Sequence, residues 1–93
     1  MDITDTIYLI TTEGCEGCRI AKNILEKAII ESKIKLIYLQ IDVNDKFYYD
    51  FIKSLNVSDF PTIVFTRNHK ILETITGTTT VDKLVKRIQK HFK

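Results

Sequence analysis

The sequence predicts an α/β domain with element order βαβαββα, a four-stranded mixed sheet with helices on both faces. Three observations carry this. Short apolar runs rich in β-branched and aromatic residues alternate with stretches of helical periodicity. A helix-length segment separates the first two runs, and a four-residue polar turn separates the last two. Ninety-three residues, 44% of them hydrophobic, suffice for one domain over residues 1–93 with a single core.

Ile7 to Ile10 is apolar at consecutive positions, as in a central strand covered on both faces. Thr11-Thr12-Glu13-Gly14 then makes a turn. Apolar residues at 20, 21, 24, 25, 28 and 29 form the stripe of an amphipathic helix that begins near Cys15 and Cys18. Ile34 to Val43 is the second strand, and the helix before it requires a parallel pairing with a right-handed crossover. Phe47, Tyr48, Phe51, Ile52 and Leu55 recur at helical spacing, and Asn56 suits the left-handed residue that ends a short helix. Thr62 to Thr66 and Ile71 to Thr76 form a hairpin across Arg67-Asn68-His69-Lys70, where Asn tolerates positive φ. Gly77 closes the hairpin. Thr80 then caps a helix whose Val81, Leu84, Val85, Ile88 and Phe92 share one face.

Composition narrows the function. The net charge of +2 is spread along the chain, with a modest cluster only at Lys83, Lys86, Arg87, Lys90 and Lys93, too thin a signal for nucleic acid. No run approaches the roughly 20 apolar residues of a membrane span, and Met1 to Thr6 lacks the basic and apolar regions of a secretory leader. A soluble cytoplasmic monomer is therefore expected. In a reducing compartment, two cysteines two residues apart serve redox chemistry or metal binding more often than structure.

A dithiol centre needs one exposed, ionisable thiol and a second thiol able to attack the mixed disulfide formed on the first. Cys15, at or just before the first helical residue, meets unpaired N–H groups and the helix dipole, which favour a thiolate. Cys18 lies one turn deeper, in line with Ala21 and Leu25, and reads as the shielded resolving thiol. Glu13 and Glu16 disfavour an anionic sulfur, whereas Arg19 and Lys22 favour it. The expectation is a Cys15 thiol moderately below the free value of about 8.5, as in a reductant or exchange catalyst. The same pair could instead be half of a zinc site. The remaining soft ligands, His69 and His91, match no zinc spacing and read as a hairpin-turn residue and a favourable charge near a helix C-terminus.

Pro61, the only proline, stands immediately before a strand, where its missing N–H is tolerated. Together with Cys15-Glu16-Gly17-Cys18 after the first strand, Ile41-Asp42-Val43, Val57-x-x-x-Pro61-Thr62 and Gly77, it resembles the thioredoxin family across nearly the whole chain. The resemblance implies a thioredoxin fold with a cis-proline at 61 beside the dithiol. It also implies attack by Cys15 on a substrate disulfide, resolution by Cys18, and pairing of the Phe60 backbone with an extended substrate segment. Pro61 would also keep stray metal from the thiols. The implied partners are disulfide-containing proteins and an electron donor, either a flavin-dependent thioredoxin reductase-type enzyme or glutathione as co-substrate. Beyond the dithiol no cofactor and no metal is expected.

Three positions depart from that family. Gly14 replaces the aromatic residue before the first cysteine, Gly17 the proline between the cysteines, and apolar Leu9 the buried acid of the first strand. A glutaredoxin-like, glutathione-dependent protein is the nearest alternative, although Gly77-Thr78 stands where a Gly-Gly pair is expected. Asp82, in the first turn of the last helix, could meet the glutathione amino group or simply answer the helix dipole. Two further alternatives are a metal- or cluster-binding module and a redox-idle binding platform using Phe60 and Tyr48-Tyr49. Neighbouring helical residues face different ways, so one of these tyrosines should be core and the other solvent.

Overall fold

The computed structural model describes residues 3–93. Strand β1 (Asp5–Thr11) leads to helix α1 (Glu16–Ser32), which returns the chain to β2 (Ile37–Asp42). A 3-10 turn (Lys46–Tyr48) runs into α2 (Tyr49–Leu55), followed by the hairpin β3 (Thr62–Arg67) and β4 (Lys70–Thr76) and the last helix α3 (Val81–Phe92). The sheet order is β2-β1-β3-β4, with β1 parallel to β2 and the other pairings antiparallel. This is the βαβαββα mixed sheet of the thioredoxin fold.

Strand β1 is central, which is why its apolar residues run consecutively. Ile7 and Leu9 face a core formed with Ala21 and Leu25 of α1, Ile63 and Phe65 of β3, and Leu84 and Ile88 of α3. Tyr8 and Ile10 face the opposite layer, with Ile41, Ile52 and Val64. Helices α1 and α3 thus cover one face of the sheet and α2 the other.

Local sequence explains most element ends. Thr80 Oγ1 accepts a hydrogen bond from the Lys83 N–H at 3.2 Å and caps α3. Asn56 ends α2 in the left-handed region at φ 55°. In the hairpin turn both Asn68 (φ 52°) and His69 (φ 69°) take positive φ, as a two-residue turn of the I′ kind requires. The Asn68 side chain accepts from the Thr4 N–H at 2.8 Å, tying the turn to the entry of β1.

Three expectations are corrected. The second strand begins at Ile37, not Ile34. Helix α1 ends at Ser32 with Lys33 in the left-handed region, and residues 34–36 are needed to bring the chain back, with Ile34 and Leu36 packing on the core from that loop. Ile20 leaves the buried stripe of α1 and is exposed. Phe47 also leaves its predicted stripe and is 85% exposed, because it lies in a 3-10 turn whose residues do not follow the 3.6-residue phase of α2. Tyr48 packs against the second core cluster while Tyr49 is exposed.

Candidate redox site

The site stands where β1 hands the chain to α1. Gly14, at φ +74°, supplies the turn in a region that side-chain-bearing residues rarely adopt. Cys15 is the N-cap of α1, and its Sγ accepts from the Cys18 N–H at 3.1 Å. Cys15 and Cys18 form a disulfide with a Cα–Cα distance of 5.3 Å. Cys15 is half-buried, whereas Cys18 is only 5% exposed, on the helix face that carries Ala21 and Leu25 inward. One sulfur is therefore reachable, and the other is shielded behind it.

The loop before β3 abuts this helix turn. A Cβ on Gly17 would lie 3.5 Å from Pro61 Cδ. The Phe60-Pro61 peptide is cis. Pro61 C=O accepts from the Gly77 N–H at 3.1 Å, which joins the loop to the end of β4. Thr62 Oγ1 donates to Asp59 C=O at 2.6 Å and closes the turn ahead of Pro61. The side chain of Phe60 packs on the α2-side core, while its backbone N–H and C=O find no hydrogen-bond partner among the described residues.

Two grooves flank the disulfide. A polar one of about 410 Å³ is lined by Thr12, Cys15, Glu16, Arg19, Lys22 and Gln40. A smaller, apolar one of about 120 Å³ runs along Gly17, Ile20, Ile24, Pro61 and Gly77. Of the four charges near the cysteines, Glu16 and Arg19 pair with each other at 3.0 Å across an exposed helix surface, so each screens the other from the sulfurs. Lys22 lines the polar groove without an ion pair among the described residues. Glu13 lies outside that lining, on the exposed turn.

The other candidate residues lie elsewhere. Leu9 is fully buried among apolar side chains, so no carboxylate stands at its position. His69 sits in the hairpin turn and Asp82 is exposed in the first turn of α3. Among the described residues no three His, Cys, Asp or Glu side chains gather into a metal-binding group. One cluster escaped the sequence reading. Glu73 on β4 accepts hydrogen bonds from Arg87 Nε at 2.9 Å and from His91 Nε2 at 2.6 Å, both on α3. Burial pushes its carboxyl upward, but the bonds from Arg87 and His91 outweigh this and hold it below the ordinary carboxylate value. His91 therefore answers a specific carboxylate rather than only a helix terminus. The i, i+4 spacing of Arg87 and His91 was visible in the sequence, but the strand residue facing them was not.

A disulfide between a reachable sulfur at a helix N-cap and a shielded sulfur one turn on, within this fold, defines a thiol–disulfide redox protein. The comparisons agree. The Thioredoxin family model matches residues 4–90, and the chain belongs to the thioredoxin family. Among solved structures, thioredoxin-2 of the malaria parasite, described as a component of its protein secretion machinery, superposes with a TM-score of 0.80 at 19% identity, covering 98% of this chain and 86% of that one. Oxidized thioredoxin O2 from Arabidopsis thaliana gives a TM-score of 0.76 at 20% identity, covering 97% and 76% of the two chains. A further malarial protein gives 0.76 at 18% identity, covering 95% and 97%. A search among curated proteins found no match. At these identities the structural likeness speaks to the fold.

Proposed function

We propose that this protein reduces or exchanges protein disulfides through Cys15 and Cys18. The observation that carries this is the asymmetric disulfide at the start of α1, with Cys15 reachable at the N-cap and Cys18 buried. In the reduced protein the Cys15 thiolate attacks one sulfur of a substrate disulfide. That S–S bond breaks, the departing sulfur leaves as a thiolate and takes a proton, and a mixed disulfide forms on Cys15. The Cys18 thiolate then attacks Cys15 Sγ, expels the second substrate sulfur and forms the Cys15–Cys18 disulfide. Two electrons have passed to the substrate.

The backbone N–H and C=O of Phe60, which have no partner among the described residues, would pair with an extended substrate segment, and the apolar groove along Gly17 and Pro61 would seat its side chains. Glu13, Glu16, Arg19 and Lys22 would tune the thiolate. Because Glu16 and Arg19 offset each other, the tuning is modest, which suits a reductant or exchange catalyst over a strong oxidant. With Leu9 in place of an acid, Cys18 gives up its proton without a buried base on β1. Protein disulfides are the substrates, and the Cys15–Cys18 dithiol supplies the electrons. A flavin-dependent thioredoxin reductase-type enzyme regenerates it, with glutathione as the alternative donor. The setting proposed is cytoplasmic, because both cysteines of the chain belong to the redox pair and none is left for a structural bridge.

The test is insulin disulfide reduction with three proteins. Cys15→Ser should abolish turnover, and Cys18→Ser should accumulate a mixed disulfide on Cys15 that mass spectrometry detects. Retained activity in Cys15→Ser would refute the assignment.

A further inference from the structure

Strand β2 is an edge of the sheet, and its one charged residue, Asp42, stands at its last position. The Val43 N–H donates to Thr11 C=O at 2.8 Å, so the odd-numbered residues of β2 turn their backbone groups toward β1. Tyr38 and Gln40 consequently point their N–H and C=O groups outward, with no partner among the described residues. The six residues Ile37–Asp42 contain no Lys, Pro or Gly and pair with β1 without a bulge. The opposite edge differs. There β4 carries Lys70, Glu73 and a register shift that leaves Leu72 unpaired, the devices by which sheets avoid edge-to-edge contact.

The same strand presents apolar side chains. Ile37, Leu39 and Ile41 share the α2 face, but α2 has only seven residues and covers Ile41 alone. Ile37 and Leu39 are exposed at the mouth of a groove of about 430 Å³ lined by Tyr8, Tyr48 and Phe51, with exposed Phe47 on it.

From these features we infer that β2 is a self-association edge, at which a second copy of this chain adds its own β2 antiparallel about a two-fold axis. Charge selects the direction. Lys33 and Lys35 precede the strand, while Asp42 and Asp45 end and follow it. An antiparallel partner sets the basic end of each strand against the acidic end of the other, whereas a parallel partner would oppose like charges. The backbone selects the register. With Leu39 on the axis, Tyr38 of each copy faces Gln40 of the other, and the two pairs exchange about four hydrogen bonds. Leu39 then faces Leu39 and Ile37 faces Ile41, at the positions where side chains of opposite strands stand closest. Centring on Tyr38 would instead oppose Gln40 to Leu36, which precedes the strand, and centring on Gln40 would oppose Tyr38 to Asp42, whose C=O already accepts from the Asp45 N–H at 3.0 Å. The pair replaces the monomer expected from the sequence, and it is independent of the redox reading.

Sedimentation velocity of the full chain over a rising concentration series tests this. The 10.8 kDa chain should approach twice its mass. Leu39→Lys sets two like charges across the axis on an exposed strand face, and should sediment as a monomer with unchanged circular dichroism and insulin reduction. In a Cys15→Ser/Cys18→Ser background, mild oxidation should cross-link Leu39→Cys to itself, since closest-pair Cα atoms lie about 4.5 Å apart, whereas Ile37→Cys should not self-link. A wild-type protein that stays monomeric at millimolar concentration overturns the inference. So does a dimer unaffected by Leu39→Lys, or preferential self-linking at Ile37.

Discussion

Replacing Glu73 by Gln removes a carboxylate that joins β4 to α3 while keeping its shape. The wild-type side chain accepts from Arg87 Nε at 2.9 Å and from His91 Nε2 at 2.6 Å, with a further contact from Arg87 Nη2. A hydrogen bond to a charged group contributes about 1.5–3 kcal/mol. The Arg87 side chain is 41% exposed, so its share is discounted toward the surface-pair range of about 0.2–1 kcal/mol. His91 is 16% exposed and keeps most of its value. Gln retains one neutral acceptor, so the expected net loss is about 2 kcal/mol. For a chain of this size that lowers Tm by roughly 10 °C. The sign with pH is fixed by the depressed carboxyl. Its stabilisation is present above the unfolded carboxylate value and is lost as pH falls through the lower folded value. Urea unfolding of wild type and Glu73→Gln at pH 7 and at pH 3 measures both effects. The difference should be smaller at pH 3 than at pH 7. A difference below 0.5 kcal/mol at pH 7 (on the order of a surface pair), or one unchanged at pH 3, would refute the reasoning.

Leu25→Ala opens a cavity among Leu9, Ala21, Leu84 and Ile88 and should cost about 3–4 kcal/mol by urea unfolding. Tyr38 buries its hydroxyl without a hydrogen-bond partner, so Tyr38→Phe should leave stability unchanged or raise it by about 1 kcal/mol. Burial, with Glu26 nearby, pushes the Tyr38 phenol up to about 12. Wild-type stability should therefore fall as pH rises from the unfolded tyrosine value of about 10 toward 12, and Tyr38→Phe should flatten that limb. His69→Gly relieves a positive φ in the hairpin turn and should raise stability by up to about 1 kcal/mol, read as a shift in Tm.

Much of the redox site was legible in the sequence because its parts are local. The spacing of Cys15 and Cys18, the Gly14 turn and the start of α1 lie within one strand-to-helix junction, and a short segment dictates its own capping geometry. The consecutive apolar residues of β1 likewise announced a central strand, because burial on both faces abolishes alternation. Phe47 shows where such reading stops. Its spacing suited the stripe of α2, but a 3-10 turn shifted its phase into solvent.

Residues far apart in the chain acquire partners only through packing. The pairing of Glu73 with Arg87 and His91 exists because α3 lies across β4, and the approach of Pro61 to Gly17 because β3 runs beside β1. The exposed edge at β2 follows from strand order, which no single segment encodes. By itself the sequence determined the elements, the buried faces and the dithiol, since propensity, periodicity and capping act over a few residues. Only the tertiary structure decided which charges offset each other, which strand residue meets Arg87 and His91, and which strand edge is left open. Those properties depend on distance in space, and chain separation does not measure it.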